Sequence, residues 1–372
     1  MTATTTPGTP LRTGRLLYLD NLRVALTVLV VVHHLAVTYG NIPLWYHVEP
    51  AEDPSGLALD ILVTFDQAFF MGAFFFISGL FTPGAHDRKG GRLFLRDRLV
   101  RLGIPLLAFL LLLRPLVNFE SYPAVAAALG DPGLPYWLFY LVTWDPGPMW
   151  FVEVLLVFAA LYAVWRAFAR AVPVVETPVA PRARAVVLFT LGLTAATFLW
   201  RLVVPVEAYW PVIGLPTPSY LPQYAALFVA GLVAYRRRWL EALSPRAGRL
   251  AFAAAGAVTA VLFPLAMVTA GPVQTLALAA WHSSFAVAMC TGLLWLFRRR
   301  FDRQGPRGRF LSANAYTVYV VHPVVLVGVA WAFVWLDAPA VVKFAVTTVI
   351  ALPLCWLLAS AVRALPGAKR VL

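Results

Sequence analysis

Charged residues are scarce in this 372-residue chain, and acidic residues are the scarcest of them. Asp, Glu, Lys and Arg make up 13% of the sequence, with 17 acidic against 30 basic residues, whereas apolar residues make up 61%. Soluble domains are about a quarter charged and about half apolar, so this composition excludes an ordinary soluble protein. Together with a mean hydropathy of +0.77, it indicates a polytopic membrane protein.

Cysteine is also nearly missing, and several common catalytic motifs are absent altogether. Cys290 and Cys355 both lie in apolar runs, without a CxxC pair or a ligand cluster, so we expect neither a disulfide nor a metal site. The sequence contains no Gly-rich phosphate loop, no HExxH and no GxSxG motif. Without a serine elbow to carry a covalent acyl group, any group-transfer chemistry is expected to depend on histidine.

Long apolar runs dominate what is present. Runs of about 17–25 residues span a bilayer as helices, and these are too uniformly apolar for the alternating strands of a membrane barrel. We predict an all-α polytopic integral membrane protein with ten transmembrane helices, at residues 17–39, 60–82, 99–118, 148–168, 185–204, 220–236, 248–269, 276–297, 314–335 and 340–362.

The remaining regions complete the predicted domain organisation. Residues 1–16 are polar and are expected to be disordered, 17–362 form the membrane domain, and 363–372 form a short tail. Region 120–147 is rich in proline and aromatic residues, which is typical of an interfacial helix or loop because Trp and Tyr favour the headgroup level.

The net charge of +13 is distributed in short basic clusters that occupy every second loop. Basic loops stay on the cytoplasmic side, so we predict that both termini are cytoplasmic and that the protein resides in the inner (cytoplasmic) membrane. The clusters form no continuous basic patch among soluble elements, so nucleic acid is not an expected partner. Arg201 and Lys343, at the predicted outer ends of two segments, are the two departures from this pattern.

The first apolar segment carries an arginine and two histidines, which are costly inside a bilayer and usually face a protein interior. Arg23 and His34 are eleven residues apart, which returns the helix to within about 20° of the same face and separates the two by about 16 Å. That distance suits the two ends of one extended ligand. His33 points about 80° away from Arg23, so His34 is the predicted catalytic histidine.

Two carboxylates lie in neighbouring apolar segments and could hold a histidine in place. Glu153 and Asp66 each require a cation, a proton or a hydrogen bond inside the membrane. Either could fix the tautomer of His34, and either could simply bond to another helix. We favour Glu153 as the partner of His34, and the choice between the two stays open.

Further candidates lie towards the cytoplasmic ends and in the ninth segment. Ser78 precedes Gly79 in FFFISGL, where close helix packing is the ordinary explanation. Arg98 and Arg101, in the run leading into the third segment, could reach anionic phosphates. Tyr319 and His322 lie one turn apart in AYTVYVVHP, where a role in the site and a helix kink at the following proline are both possible.

The ordered set of motifs is similar to the membrane-bound acyltransferase 3 family. The arginine, ten residues, histidine pattern is met by Arg23 and His34, and FFFISG, RDRLVRLGIP, GPMWFVEVLL and YVVHP follow in the family's order over about residues 17–362. Within the family, the chain most resembles the branch that contains a glucan succinyltransferase. Each motif alone is weak, and their order and spacing carry the resemblance.

This resemblance implies a function and assigns roles to the candidate residues. An acetyl- or succinyl-type group would pass from cytoplasmic acyl-CoA, with no permanently bound cofactor, to a hydroxyl of an extracytoplasmic carbohydrate or similar envelope acceptor. His34 would be the general base, supported by Glu153, and Arg23 would anchor the donor. The remaining substrate-binding candidates are Ser78, Arg98, Arg101, Tyr319 and His322. A proton-coupled transporter or flippase could use the same buried ionisable residues, and it is the alternative.

Overall fold

The computed structural model describes residues 16–170, 172–210 and 213–372, and within these ranges the fold is all-α, as predicted. A single isolated bridge between Trp210 and Leu215 is the β-structure found there. The segment expected to be disordered lies, up to residue 15, outside the described ranges.

Fourteen α-helices follow one another along the described chain, with two π-helical segments, Leu99–Gly103 and Phe109–Leu113, between α2 and α4. The helices are α1 (Leu17–Tyr39), α2 (Gly56–Arg98), α3 (Ile104–Ala108), α4 (Arg114–Val117), α5 (Tyr122–Ala128), α6 (Tyr136–Val142), α7 (Trp150–Phe168), α8 (Ala183–Arg201), α9 (Leu221–Arg237), α10 (Trp239–Ala242), α11 (Pro245–Val268), α12 (Gly271–Arg300), α13 (Pro306–Ala332) and α14 (Ala340–Ala364).

The number of helical runs long and apolar enough to cross a membrane is eight in the described ranges, not the predicted ten. Predicted segments 60–82 and 99–118 both fall in one run of 62 residues, Gly56–Val117. Segment 220–236 corresponds to α9, whose 17 residues extend only about 25 Å. Composition could not reveal the first feature, because helical structure resumes within the basic stretch at residues 88–98, whereas the predicted segment 220–236 already had the 17 residues of α9.

A glycine bends the run Gly56–Val117 shortly after predicted segment 60–82 ends. Gly90 has φ 74° and ψ 164°, a backbone conformation that side-chain-bearing residues avoid. A straight helix of 62 residues would extend about 93 Å, roughly three times the hydrocarbon thickness of a bilayer. The backbone leaves the helical conformation at Gly90, so Gly56–Arg98 consists of two helical stretches joined at a kink, and the kink brings the basic residues that follow back towards the bundle.

Helices α1 and α13, which carry His34 and His322, are among the most buried helices of the described structure. In their most apolar stretches, 61% of the residues of α1 and 67% of those of α13 are buried, compared with 11% for α11. Helix α1 packs against α2, α12, α13 and α14. Polar groups on α1 and α13 therefore face protein, as the cost of placing them in hydrocarbon requires.

Helices α2 and α9 approach each other at two glycines. A Cβ atom on Gly79 would lie 2.1 Å from the carbonyl oxygen of Phe228, and one on Gly231 would lie 2.2 Å from that of Phe76. Small residues permit such close backbone contacts between membrane helices. In the Ser78–Gly79 pair, the packing role therefore belongs to the glycine.

Candidate active site

A cavity of about 470 Å³ lies between the first half of α1, the second half of α2 and the first half of α13. Five of the predicted site residues line it together, although the sequence separates them by up to 296 positions: Arg23, Ser78, Arg98, Arg101 and Tyr319. The bend at Gly90 makes this possible, because it lets residues before the bend, such as Ser78, and residues after it, such as Arg98, line the same cavity. The volume is that of a typical small-molecule site.

The cavity is strongly basic. Besides the three predicted arginines, it is lined by Arg88 and Lys89, which belong to one of the basic clusters that the charge pattern assigns to cytoplasmic loops, whereas Asp97 is the acidic residue in the lining. Lys89 forms an ion pair with Asp97, and Arg23 forms one with Asp20. The guanidinium of Arg98 lies 5.3 Å from the ring centre of Phe94. An excess of cations around a partly apolar space fits a ligand with several negative charges.

A row of aromatic rings leads from this cavity to His34. Tyr319 lines the cavity, and its ring centre lies 5.9 Å from that of His322. The ring of His322 lies 5.1 Å from that of His34. The Tyr319 hydroxyl donates to the carbonyl oxygen of Pro148, which holds this first ring in place. Tyr319 of α13 thus lies between the predicted substrate-binding residues of the cavity and the histidines His322 and His34.

The hydrogen bonds of the two histidines define which nitrogen is free. Nδ1 of His34 lies 2.8 Å from the carbonyl oxygen of Val30, and Nδ1 of His322 lies 2.7 Å from that of Tyr319. A carbonyl oxygen can only accept, so each Nδ1 carries a proton, and in the neutral ring Nε2 holds the lone pair. His34 is half-buried, whereas His322 is fully buried and its Nε2 lacks a hydrogen-bond partner in the described structure. His34 therefore has the geometry of a base that acts through Nε2.

The carboxylates do not contact His34 as expected. Within the described ranges, no hydrogen bond joins Glu153 or Asp66 to His34, whose tautomer is set by the helix backbone instead. Glu153 is half-buried on α7 and within electrostatic range of Tyr319. Asp66 is buried on α2, and its Oδ2 atom has no partner there. Neither residue lines the cavity.

His33 lies apart from this arrangement. It is 8% exposed, and its ring stacks on Phe70 of α2 with centres 4.9 Å apart. The rotation predicted from helical geometry therefore gives the two histidines different surroundings. His33 packs between α1 and α2, and His34 faces His322.

Trp45 is a site residue that sequence reasoning did not find. Its ring stacks on His34 at 4.0 Å between centres and lies 5.9 Å from His322. It belongs to the loop after α1, where no periodicity indicates which way a side chain points. The only signal was its position eleven residues after His34, in a short aromatic stretch.

The arrangement combines a basic cavity, a tyrosine that lines it and, beyond His322, a histidine covered by the ring of Trp45. It can hold an extended anionic ligand at one end and remove a proton at the other. Among the described residues, no group of three or more His, Cys, Asp or Glu side chains could hold a metal ion.

Comparison with known proteins places the chain in a family. The acyltransferase 3 family model, described as an acyltransferase domain, matches residues 16–360, nearly the whole chain. No curated protein and no solved structure matches it significantly. The match covers every helix of the site, from α1 with Arg23 and His34 to α13 with Tyr319 and His322. The chain therefore belongs to the acyltransferase 3 family and is a multi-pass membrane enzyme that transfers acyl groups.

Proposed function

We propose that this enzyme moves an acetyl- or succinyl-type group from acyl-CoA to a hydroxyl of a carbohydrate or similar envelope acceptor. The donor approaches from the cytoplasm and the acceptor from outside, in an inner membrane with both termini on the cytoplasmic side. The resemblance to the glucan succinyltransferase branch favours a dicarboxylic acyl group and a sugar hydroxyl. The observation that supports the proposal most is the connection of the basic cavity to His34 through Tyr319 and His322.

The basic cavity is the proposed donor site. Coenzyme A carries several phosphate charges, and Arg23, Arg88, Lys89, Arg98 and Arg101 surround the space. Guanidinium groups bind phosphate in a bidentate manner, which fixes the ligand's orientation as well as its position. The thioester end would then extend along α1 towards His34, over the distance of about 16 Å that separates Arg23 from His34.

His34 is the proposed general base. Its Nε2 atom removes the proton of the acceptor hydroxyl while the hydroxyl oxygen forms a bond to the thioester carbonyl carbon. The carbon–sulfur bond then breaks, the acyl group stays on the acceptor as an ester, and the sulfur of CoA takes up a proton from the histidinium. Trp45 covers the imidazole and keeps water from competing with the acceptor hydroxyl.

Thiol release by the purified protein tests this function. The protein in lipid nanodiscs is given acetyl-CoA or succinyl-CoA with and without a glucan oligosaccharide, free CoA thiol is measured, and the sugar is analysed by mass spectrometry. We expect thiol release that depends on the acceptor, with an ester-linked acyl group on the sugar, and we expect His34→Ala to abolish both. Acceptor movement across a proteoliposome membrane without any thiol release would instead support the transporter or flippase.

A further inference from the structure

Arg201 was the main exception to the positive-inside pattern, and the structure explains where it lies. It is the last residue of α8 and is only 5% exposed. Its Nη1 atom lies 3.1 Å from Nδ1 of His282 on α12, and its guanidinium carbon lies 4.9 Å from the ring centre of Tyr220. That Nδ1 also lies 2.6 Å from the carbonyl oxygen of Leu278, to which it donates, so it packs against the guanidinium without accepting a hydrogen bond from it. The Tyr220 hydroxyl lies 2.8 Å from Nε2 of the same histidine. Two buried residues, His282 and Tyr220, therefore lie against this guanidinium.

No carboxylate in the described part of the chain forms an ion pair with Arg201. Glu207 interacts with it only at longer range and is itself exposed. Two guanidinium nitrogens, Nε and Nη2, are buried without a hydrogen-bond partner. An arginine keeps its charge, and a buried cation without a counter-charge is strongly destabilising. The described protein leaves the positive charge of Arg201 uncompensated, and an anionic ligand would compensate it.

The two free nitrogens have the geometry of an anion site. Nε–H and one Nη2–H lie along the same edge of the planar guanidinium and point in the same direction. This edge donates two parallel hydrogen bonds to the two oxygens of a carboxylate or phosphate. Nη1 is directed at His282, so the edge used by the ligand and the edge used by the protein are different.

Three unpartnered hydroxyls belong to residues that are close in sequence to Arg201, Tyr220 or His282. The side-chain oxygens of Thr197, Ser219 and Ser283 are buried without a partner. Thr197 lies one turn before Arg201 on α8, and the two serines are adjacent in sequence to Tyr220 and His282. Buried hydroxyls usually have a hydrogen-bond partner, so these three are candidates to donate, together with Arg201, to one bound anion.

The cluster lies at the other end of the bundle from the basic cavity. Tyr220 immediately precedes α9, whereas Tyr235, near the end of α9, lines that cavity. Fifteen residues of helix separate them by about 22 Å. An anion at Arg201 is therefore separate from the phosphate groups that the basic cavity would hold.

We propose that Arg201, together with His282, Tyr220 and the three hydroxyls, binds a carboxylate or phosphate group on the side opposite the donor cavity. The identification of this ligand as part of the acceptor rests on the proposed function, and it makes the preferred acceptor an acidic one, such as a uronic-acid or phosphate-bearing carbohydrate. The same chemistry is present in the headgroup phosphate of an anionic lipid, so the test includes both sources.

Thermal unfolding of the purified full-length protein tests the site without requiring turnover. In detergent at constant ionic strength, we expect glucuronate at ten times its Kd to raise Tm by about 2 °C or more, and glucose to have no effect. Arg201→Gln should remove this shift while eluting as wild type from a sizing column. Arg184→Gln, at the opposite end of α8, is the matched control and should keep it. In nanodiscs, a shift between phosphatidylglycerol and phosphatidylcholine that Arg201→Gln abolishes would identify the lipid as the source.

Two further measurements keep the proposal testable. If Arg201→Gln does not fold, Ser283→Ala keeps the charge and removes one hydroxyl, and it should weaken glucuronate binding about fivefold to tenfold. The proposal is overturned if neither glucuronate nor anionic lipid stabilises the wild type, or if the Arg201 and Ser283 variants respond as the wild type does. A wild type that binds glucuronate through Arg201 but releases no CoA thiol would contradict the proposed transfer and leave the anion site intact.

The acceptor assignment has its own measurement. In the transfer assay, kcat/KM for an oligosaccharide carrying uronic acid should exceed that for its neutral counterpart by at least about tenfold, and Arg201→Gln should reduce this ratio to less than about twofold. An unchanged ratio in Arg201→Gln would separate the anion site from the acceptor.

Discussion

At the scale of single residues, the neighbours His33 and His34 have different surroundings although both lie on α1. His33 packs against Phe70, whereas His34 lies between Trp45 and His322 with its Nδ1 bonded to the Val30 carbonyl. The backbone bond leaves Nε2 as the basic atom without the help of a carboxylate. The contacts that hold the proposed base in the described structure are therefore a backbone carbonyl and two rings.

The first prediction concerns this base. His34→Ala should lower kcat for acyl transfer by about 10²–10⁴-fold, because a positioned general base contributes that much. The measurement is CoA thiol release at saturating donor and acceptor. His33→Ala is the control. It removes a ring from the α1–α2 interface, so it should lower Tm and leave kcat within a few-fold of wild type. Equal losses of kcat in two folded variants would contradict a specific role for His34.

The second prediction concerns the donor anchor Arg23. Arg23→Ala should raise KM for acyl-CoA about tenfold or more, because a hydrogen bond to a charged group is worth about 1.5–3 kcal/mol. Arg23→Lys should recover only part of the loss, since an ammonium cannot form the bidentate contact. The acceptor KM should change little.

Arg92→Ala provides the matched control for the donor anchor. Arg92 is exposed on α2 and is absent from the cavity lining. If both variants change the donor KM equally, the effect is one of overall charge and Arg23 has no specific contact with the donor.

Helical periodicity made part of this site predictable. The shared face of Arg23 and His34 follows from eleven residues at 100° each; in the structure Arg23 lines the cavity, and His34 is joined to it by the ring contacts of Tyr319 and His322. The partner of His34 was not predictable, because a carboxylate and a backbone carbonyl four residues earlier satisfy Nδ1 equally well. Trp45 was not predictable either, since a loop has no period from which to infer direction.

At the scale of elements, the bend at Gly90 shapes the donor cavity. The residue has a positive φ, and a Cβ placed on it would meet nothing within 4 Å. The third prediction is that Gly90→Ala destabilises the protein by backbone strain alone, by about 1–3 kcal/mol, and also raises the donor KM because Arg98 and Arg101 follow the bend. Thermal unfolding and donor titration measure the two effects.

Gly91 offers a control one residue away. Its backbone is not in the positive-φ region, and the nearest atom to an added Cβ is His86 Nε2 at 3.5 Å. Gly91→Ala should leave Tm and donor KM close to wild type. Similar effects at the two glycines would show that the bend itself has no role.

The contact between α2 and α9 gives the fourth prediction. Gly231→Ala places a methyl group against the Phe76 carbonyl oxygen, a backbone atom that cannot turn away, so the two helices must separate. We expect a loss of about 1–3 kcal/mol in stability, seen as a lower Tm. Gly192→Ala on α8, where nothing lies within 4 Å, should be neutral. A neutral Gly231→Ala would mean that this interface is loose.

The identity of the helices was more predictable than their lengths. Apolar runs indicate where a helix crosses hydrocarbon, but helix continues into polar sequence wherever backbone hydrogen bonds can continue. Residues 88–98 are basic and were therefore interpreted as a loop, whereas they extend α2 and line the cavity at Arg88, Lys89 and Arg98. Amino-acid composition indicates where a helix leaves the membrane, but it does not indicate at which residue the helix ends.

At the scale of the whole molecule, the fifth prediction concerns orientation. The alternation of basic loops places both termini and residue 305 in the cytoplasm, and the region around residue 133 outside. Both natural cysteines are buried, so single cysteines can be introduced with little background labelling. In intact cells, Gly133→Cys should react with a membrane-impermeant maleimide, and Gly305→Cys should react only after permeabilisation. Labelling of both in intact cells would contradict the orientation.

The fixed position of Arg23 and His34 on one helix has a consequence for how donor selectivity can change. A helix cannot be lengthened smoothly: one added residue turns His34 by 100° away from its partners, and only steps of three or four residues, about 5 Å, restore its direction. The distance between Arg23 and His34 along α1 can therefore change only in steps of about one helical turn. In the proposed function, adjustments finer than one turn, such as the difference between acyl groups of two and four carbons, would have to come from side chains, and we propose Tyr319, which lines the cavity, and Trp45, which stacks on His34, as those residues.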